Sequence, residues 1–279
     1  MQRLPEYLKR PIIDTEKTRT VRRILKNKCL NTVCEGARCP NKSECYSRNT
    51  ATFLIMGNVC TRNCRYCNIS PAKPEPLDKE EPKRIAEAIK ELGLRYAVIT
   101  SVTRDDLPDG GAEHFKNCIR EIRNICDAKI EILTPDFKAS KNSLDTIIEA
   151  HPNVFNHNIE TIERLFKTAR PQGSYQNSIK VLKYIKENSN IITKSGLMVG
   201  LGETFDEINK TLADLKKAGV DIITIGQYIQ PSKAHLEVEK FYTLDEFEEL
   251  KTLAKNKGFK DYQIGPLVRS SYKAASLIE

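Results

Sequence analysis

Apolar residues recur along the chain in two patterns that alternate. Short runs rich in valine, isoleucine and leucine have the continuous apolar character of buried strands. Longer segments carry apolar residues every three or four positions, which is the pattern of amphipathic helices. The predicted strands are 51–57, 96–100, 129–134, 154–157, 191–199 and 220–225. The predicted helices are 18–27, 82–93, 112–126, 144–150, 162–167, 176–188, 205–218 and 244–257.

This alternation of strands and helices predicts parallel βαβ units. Six strands give six units, whereas a closed eight-fold barrel would need two more. The predicted fold class is therefore α/β, an open six-unit (β/α)6 partial TIM barrel over residues 51–264. Residues 1–50 are then an N-terminal extension, and residues 265–279 are a C-terminal tail. In parallel barrels the chemistry collects at the C-terminal ends of the strands, so we expect a site in the loops that follow them.

Three cysteines with C-x3-C-x2-C spacing, Cys60, Cys64 and Cys67, follow the first predicted strand. A compact loop can aim three sulfurs at one point, and crowded soft thiolates favour zinc or an iron–sulfur cluster. Structural zinc normally has a fourth Cys or His ligand, and the sequence offers none nearby. A four-iron cluster held by three cysteines would keep one iron open for a small ligand. A zinc knuckle and three unrelated buried thiols are the alternatives that the spacing leaves open.

A second set of three cysteines lies before the first strand, with C-x4-C-x5-C spacing. Its members are Cys34, Cys39 and Cys45. A glycine, a proline and an asparagine between them predict a turning loop rather than a helix or a strand. Such a loop can wrap a cluster, and residues 1–50 would then be a cluster-binding extension. A zinc site completed by Cys29 or by a distant histidine is the alternative.

The chain has nine cysteines, seven of them within residues 29–67. Its N-terminus lacks the apolar stretch of a secretory signal, and no run of about 18 apolar residues is present. Clustered cysteines in such a chain indicate metal ligands rather than disulfides, so we expect a reduced, cytoplasmic protein. The formal charge of +8 favours an acidic partner, although a solvated lysine-rich surface explains it equally.

The motifs together resemble those of the lipoyl synthases, a family of radical S-adenosylmethionine (SAM) enzymes. The order of the two cysteine triplets, with Arg-Ser-Ser-Tyr near the C-terminus, makes this combination specific. The matching segments are 34–41, 60–67, 100–107, 109–112, 156–161, 194–203 and 269–272. The resemblance extends over most of the chain, and it implies the same partial barrel that the strand pattern predicts.

The resemblance also implies two 4Fe-4S clusters and bound SAM. Cys60, Cys64 and Cys67 would hold the cluster whose open iron binds SAM. Cys34, Cys39 and Cys45 would hold an auxiliary cluster, with Ser271, rather than Ser270, as its fourth ligand. The expected SAM-binding residues are Tyr66, Asp109, Gly110, Gly111, Asn158, Glu160, Arg170 and Met198. Arg269 and Ser271 would be the catalytic residues of the tail.

Several of these residues also have ordinary explanations in the sequence alone. Asp109 and the two glycines after it form an ordinary turn motif. Asn158 or Glu160 could cap a helix. Arg170 could form a surface ion pair. Only the family resemblance connects these residues with SAM.

The implied reaction inserts sulfur at C6 and C8 of an octanoyl chain that is amide-linked to a lysine of a carrier domain. Neither carbon is acidic, so acid–base chemistry cannot activate its C–H bond and a radical cofactor is needed. In the family, SAM is cleaved reductively and its 5′-deoxyadenosyl radical abstracts hydrogen. The carbon radical then takes a sulfide from the auxiliary cluster, and two SAM molecules are used for each lipoyl group.

The implied partners are octanoylated lipoyl carrier domains, namely the E2 subunits of 2-oxoacid dehydrogenases and the glycine cleavage H protein. An electron donor such as flavodoxin or ferredoxin is also implied. We expect no nucleic acid partner and no membrane, because the sequence has no long basic run, RNA-binding aromatic motif or spanning segment.

Three other functions remain compatible with the cysteine patterns. One is a radical SAM enzyme whose second cluster only transfers electrons. Another is a radical SAM methylthiotransferase, which would normally append an RNA-binding domain, and no residues remain here to form one. The third is a zinc-binding adaptor without enzyme activity, which iron and sulfide analysis would distinguish from both enzymes.

Overall fold

The computed structural model describes residues 3–11, 13–48 and 50–277. The chain divides into two compact units. The N-terminal unit consists of Arg10–Arg62 and Asn68–Phe155. The C-terminal unit consists of Met1–Lys9, Asn63–Cys67 and Asn156–Glu279.

The N-terminal unit contains a mixed set of short and long elements. Its helices are α1 (Glu16–Asn27), α2 (Val33–Gly36), α3 (Lys42–Ser47), α4 (Glu81–Glu91), α5 (Ala112–Ile125) and α6 (Lys141–Ala150). Its strands are β1 (Asn31–Thr32), β2 (Thr52–Ile55), β3 (Val59–Cys60), β4 (Ser70–Pro71), β5 (Tyr96–Ser101) and β6 (Lys129–Leu133). The next strand along the chain is β7 (Val154–Asn156).

The long strands of this unit, β2, β5 and β6, pair in parallel. Strand β5 lies between β2 and β6, with Ile99 opposite Phe53 on one side and Ile132 on the other. Strand β1 adds to the free side of β2 in the antiparallel direction. Strands β3 and β4 form a separate parallel pair that includes Cys60. The first cysteine of the C-x3-C-x2-C motif is therefore part of a small two-stranded element.

The C-terminal unit repeats the alternation of strand and helix. Its helices are α7 (Glu163–Ala169), α8 (Tyr175–Asn188), α9 (Phe205–Lys217) and α10 (Leu244–Asn256). Its strands are β8 (Ile192–Val199), β9 (Ile222–Gln227) and β10 (Asp261–Ile264). They pair in parallel in the order β8-β9-β10, with Thr224 between Gly196 and Gln263.

Burial and capping explain why these segments form where they do. Every residue of β2 and β9 is buried, as parallel strands covered on both faces require, and most of these residues are apolar. Reciprocal capping boxes start two helices: Thr204 with Glu207 at α9, and Thr243 with Glu246 at α10. All six predicted strands and all eight predicted helices are present, with small shifts at their ends.

Two features differ from the predictions. The turning loop expected over the N-terminal cysteines is wrong, because Cys34 lies in α2 and Cys45 in α3. Gly36 ends α2 and Pro40 precedes α3, so both lie at helix ends, where they are tolerated. Strand β10 was not predicted either, since its Asp-Tyr-Gln-Ile sequence has no apolar run. Among the described residues, no helix combines the length and the apolar character needed to cross a bilayer.

Candidate active site

The N-terminal cysteine triplet is built on the two short helices α2 and α3. Cys34 is buried, and Cys39 and Cys45 are half-buried. The backbone N–H of Cys39 donates to the carbonyl of Cys34 at 3.1 Å, and Arg38 between them has φ of +49°. This left-handed residue reverses the chain after α2 and brings Cys39 back towards Cys34.

The thiols of this triplet influence one another electrostatically. The pKa of Cys34 is raised to about 11, chiefly by burial; a hydrogen bond with Thr52 opposes the rise, and the charge of Cys39 contributes to it. Burial raises the pKa of Cys45 to about 12, and the charges of both Cys34 and Cys39 act in the same direction. Both shifts favour the protonated thiols of Cys34 and Cys45. A metal that binds them must displace their protons.

Cys60 is held by backbone donors of the N-terminal unit. Its Sγ accepts hydrogen bonds from the N–H groups of Arg62 at 3.4 Å and Thr103 at 3.3 Å. The Thr61 hydroxyl donates to the carbonyl of Thr103 at 2.9 Å and accepts from the N–H of Asp105 at 3.0 Å. The segment that follows β5 thus fixes the start of the cysteine loop.

The rest of the cysteine loop belongs to the C-terminal unit. The N–H of Cys67 donates to the carbonyl of Cys64 at 3.0 Å, which closes a turn between the two cysteines. The carbonyl of Cys67 lies 2.9 Å from Nε2 of His235. The N–H of Leu236 donates to the carbonyl of Arg65 at 2.9 Å. The segment after β9 therefore fastens this end of the loop.

Tyr66 lies in an apolar cluster of the C-terminal unit. The cluster consists of Leu201, Tyr228 and Val238, with Tyr66, Leu165, Met198, Leu236 and Phe241 packed against it. Burial raises the pKa of Tyr66 far above its usual value, and the charge of Glu160 adds to the effect. Its phenol remains neutral, and its ring packs against apolar side chains of the C-terminal unit.

Glu160 is the centre of a polar network in the C-terminal unit. It has φ of +68°, its N–H donates to the carbonyl of Gly196 at 2.9 Å, and its carbonyl accepts from the N–H of Met198 at 2.8 Å. The side-chain amide of Asn158 donates to Glu160 Oε1 at 3.2 Å. Burial raises the pKa of Glu160, while Arg170 and the Asn158 hydrogen bond lower it. The network joins four of the predicted SAM-binding residues.

The C-terminal tail reaches the same network through Ser270. Its hydroxyl donates to Asn158 Oδ1 at 2.8 Å. A Cβ atom on Gly226 would lie 2.1 Å from the carbonyl oxygen of Val268 and 3.2 Å from a guanidinium nitrogen of Arg269. The absence of a side chain at Gly226 lets the tail pack directly on β9. Ser271 is half-buried, and within the described chain its hydroxyl makes no hydrogen bond.

The residues Asp109, Gly110 and Gly111 have a local role at the start of α5. The carboxylate of Asp109 accepts from the N–H groups of Gly111 at 2.9 Å and Glu113 at 2.8 Å. Gly111 has φ of +91°, and a Cβ atom there would lie 2.3 Å from Sδ of Met56. These contacts build the turn that the sequence also allowed. Contact of the three residues with SAM stays a prediction.

Some neighbours of the cysteine loop were missed by the sequence analysis. Arg62 is 4% exposed and forms ion pairs with Asp105 and Asp136 at 2.7 Å each. His235 bridges Ser232 Oγ, at 2.8 Å from its Nδ1, and the Cys67 carbonyl. The position of an arginine inside a cysteine motif could have drawn attention to Arg62. No local sequence pattern, however, predicts its ion pair with Asp136, a carboxylate 74 residues away.

The donor set suits iron–sulfur clusters. In the described ranges, no three His, Cys, Asp or Glu side chains converge as ligands of a single metal ion would. A four-iron cluster requires a different arrangement, because each thiolate binds its own iron. Both triplets supply three thiols that form no disulfide, and Cys60 already accepts the N–H hydrogen bonds that tune such clusters. The residues present therefore fit two clusters with three thiolates each.

Comparisons with known proteins agree with this chemistry. The model of the Radical SAM superfamily matches residues 54–215. A lipoyl synthase of Caldicellulosiruptor bescii is 55% identical over 272 residues, which cover 97% of this chain and 94% of that protein. A lipoyl synthase of Caldanaerobacter subterraneus subsp. tengcongensis is 50% identical over 273 residues, which cover 98% and 96%.

The chain belongs to the lipoyl synthase family. This confirms the family predicted from the motifs, and with it the use of SAM and 4Fe-4S clusters. A solved structure of methylornithine synthase matches with a TM-score of 0.55 at 14% identity, covering 90% of this chain and 82% of that one. This likeness concerns the fold alone. It supports the predicted class, an open and mostly parallel α/β partial barrel.

Proposed function

We propose that this protein is a radical SAM sulfurtransferase that inserts two sulfur atoms, at C6 and C8, into an octanoyl group carried on a lysine of a carrier protein. The observation that carries the proposal is its identity of 50% or more with lipoyl synthases over at least 97% of the chain. When bound, the clusters and SAM supply the radical that removes hydrogen and the sulfur that is inserted.

Cys60, Cys64 and Cys67 are the proposed ligands of the SAM-binding cluster. Both ends of their loop are fastened, by the N–H groups that donate to Cys60 and by His235 at the carbonyl of Cys67. Each of these contacts restricts the backbone or the sulfur of the cysteine that it touches. The three-cysteine set leaves one coordination position for SAM.

The SAM-binding residues are proposed to be Tyr66, Asp109, Gly110, Gly111, Asn158, Glu160, Arg170 and Met198. Tyr66 and Met198 share one apolar cluster, which suits an adenine ring and its sugar. Asn158, Glu160 and Arg170 supply an amide, a carboxylate and a guanidinium, which suit the polar groups of the methionine part. The carbonyl of Asn158 accepts from Arg170 at 3.2 Å, so the cation is already oriented.

Cys34, Cys39 and Cys45 are the proposed ligands of the auxiliary cluster, with Ser271 as the fourth. Ser270 is engaged with Asn158, whereas the Ser271 hydroxyl has no hydrogen bond to the described residues. Serine oxygen is a harder and weaker ligand for iron than thiolate. A weak fourth ligand suits a cluster that must give up sulfide.

This assignment divides the chain by role. Residues 1–50 carry the auxiliary cluster ligands, residues 51–264 form the radical SAM barrel, and residues 265–279 are a tail that closes over the auxiliary cluster. Arg269 is the proposed catalytic residue beside Ser271. Its charge already acts on Glu160 and lowers the pKa of that carboxylate against the effect of burial.

The substrate of the reaction is an octanoylated carrier protein. We propose the E2 subunits of 2-oxoacid dehydrogenases and the glycine cleavage H protein as its sources, with flavodoxin or ferredoxin as electron donor. The excess of 45 basic over 37 acidic residues supports an acidic protein partner. The cysteine-rich composition supports a reducing, cytoplasmic location.

An anaerobic assay tests this proposal. The protein is mixed with SAM, a reductant and an octanoyl-lysyl peptide, and the peptide is analysed by mass spectrometry. We expect a product in which two sulfur atoms have replaced two hydrogens. SAM cleavage without any sulfur in the peptide would contradict the proposal and favour an enzyme whose second cluster only transfers electrons.

A further inference from the structure

Arg62 lies between the first and second cysteines of the C-x3-C-x2-C motif, and its side chain is buried. It donates two hydrogen bonds to Asp105, at 2.7 and 2.9 Å, and two to Asp136, at 2.9 and 2.7 Å. Asp105 follows β5 and Asp136 follows β6. One side chain therefore ties the cysteine loop to the ends of two neighbouring parallel strands.

The same residues hold the sulfur of Cys60. The N–H of Arg62 donates to Cys60 Sγ, and the second donor, the N–H of Thr103, lies two residues before Asp105. The N–H of Asp105 donates to the Thr61 hydroxyl at 3.0 Å. A shift of the Arg62 side chain would therefore move both of the donors that orient this sulfur.

Only arginine satisfies both carboxylates. Its planar fork makes two parallel hydrogen bonds to each of them, whereas an ammonium group is a point charge without fixed directions. Asp136 is 2% exposed, so without Arg62 it would be a buried charge that has lost its cation. Asp136 also accepts from the N–H of Lys138 at 3.0 Å, and Phe137, Lys138 and Ala139 all have positive φ. Such a strained turn persists because its surroundings hold it.

We propose that Arg62, braced by Asp105 and Asp136, is a positioning residue that sets the Cys60 sulfur and its two N–H donors in place before the SAM-binding cluster is loaded. This inference rests on the proposed role of Cys60 as an iron ligand. Hydrogen bonds to the sulfurs and nearby charge set the reduction potential of such clusters. Groups that orient metal ligands typically contribute about 10- to 100-fold to metal affinity or activity.

The first test uses the protein without its cluster. Arg62→Lys keeps the charge and removes the fork. Hydrogen–deuterium exchange is measured for the backbone N–H groups of Arg62 and Thr103. We expect exchange about tenfold faster than in the parent, the factor that loss of one charge-assisted hydrogen bond gives. Unchanged exchange at both positions would overturn the proposal.

Asp221→Asn is the matched control. Asp221 is a buried carboxylate of the C-terminal unit with two cations at 2.7 Å, Lys186 and Lys260. Its replacement also breaks a buried ion-pair network, but one at the start of β9. We expect its exchange at Arg62 and Thr103 to equal that of the parent. Equally accelerated exchange in the control would show that any loss of stability loosens the loop. It would contradict a specific role of Arg62 and its two carboxylates.

The second test uses reconstituted protein. The rate of reductive SAM cleavage should fall about tenfold or more in Arg62→Lys and remain at the parent level in Asp221→Asn. The midpoint potential of the cluster should shift in Arg62→Lys alone.

Two outcomes distinguish failure of the proposed function from failure of this inference. A parent protein that binds no iron at the C-x3-C-x2-C motif would refute the proposed function. A parent with normal SAM cleavage, together with an Arg62→Lys variant whose SAM cleavage and potential are unchanged, would refute only this inference. If Arg62→Lys does not fold, Asp105→Ala removes two of the four side-chain hydrogen bonds of Arg62, and the same measurements are made on that variant.

Discussion

The hydroxyl of Ser270 donates a hydrogen bond of 2.8 Å to the side-chain oxygen of Asn158, 112 residues earlier in the chain. Asn158 in turn donates to Glu160, at 3.2 Å. A Cβ atom on Gly196 would lie 3.0 Å from both Ser270 Oγ and Asn158 Oδ1. The tail and the segment after β7 therefore share one network, in a space that glycine keeps open.

This contact separates the roles of the two tail serines. Ser270→Ala removes one hydrogen bond beside the proposed SAM site, so we expect KM for SAM to rise about fivefold with the iron content unchanged. Ser271→Ala should leave KM for SAM at the parent value but lower the iron and sulfide content, because the auxiliary cluster loses its fourth ligand. Metal analysis and SAM kinetics on both variants measure the difference. Loss of iron in Ser270→Ala alone would assign the ligand to Ser270.

The two cysteine triplets should be separable by function. The parent should contain about eight irons per chain, the content of two four-iron clusters. Replacing Cys34, Cys39 and Cys45 with Ala should remove about half of the iron and all lipoyl product, while reductive SAM cleavage continues. Replacing Cys60, Cys64 and Cys67 should abolish SAM cleavage itself. Sulfur insertion by the first variant would refute the auxiliary cluster as the sulfur donor.

The sequence predicted the features that depend on neighbours along the chain. Strands such as β2 and β9 are buried on both faces, so their sequences are mostly apolar, and that pattern predicts them. The spacing of Cys60, Cys64 and Cys67 is local and indicates one site directly. The short strand β10 could not be predicted, because only its pairing with β9 makes Asp261–Ile264 extended.

Contacts between residues that are far apart in the chain could not be predicted from the sequence, for the same reason. Arg62 and Asp136 are 74 residues apart. From the sequence alone, each is indistinguishable from a solvated charge on the surface. The Ser270–Asn158 hydrogen bond likewise joins two motifs that the sequence had connected only through the family. Motif spacing thus located the site, while the groups that hold it in place required the three-dimensional structure.

Packing of the tail on β9 gives a steric prediction. In Gly226→Ala the new Cβ would lie 2.1 Å from the carbonyl oxygen of Val268, so the tail must move. Overpacking of this kind costs about 1–3 kcal/mol. We expect a lower unfolding temperature, and a loss of lipoyl product larger than the loss of SAM cleavage, because the tail carries Ser271.

A matched control for this variant lies in the same tail. In Gly265→Ala the nearest atom to the new Cβ would be Val268 Cγ2 at 3.7 Å, an ordinary contact. This change should alter stability by no more than about 0.5 kcal/mol. Equal loss of product in both glycine variants would show that the close approach at Gly226 is not the cause.

Asp221 gives a prediction about pH. Burial alone would raise the pKa of its carboxyl, but hydrogen bonds from Lys186 and Lys260 outweigh burial and hold the pKa below its usual value. The unfolded chain therefore takes up this proton first as the pH falls. The stabilisation is present above about pH 4, the ordinary value for aspartate, and is lost as the pH falls through the lower pKa of the folded state.

Urea unfolding of the cluster-free protein between pH 7 and pH 3 measures this effect. We expect Asp221→Asn to be about 1–3 kcal/mol less stable than the parent at pH 7, because charge-assisted hydrogen bonds are lost. The difference should shrink below about pH 4, where the unfolded parent takes up the proton, and it should be lost as the pH falls through the lower pKa of the folded state. Glu149→Gln is the control, because Glu149 pairs with Lys116 on the surface and such pairs contribute little. A difference for Asp221→Asn that stays constant down to pH 3 would mean that the variant loses packing or hydrogen-bond geometry rather than the stabilising charge.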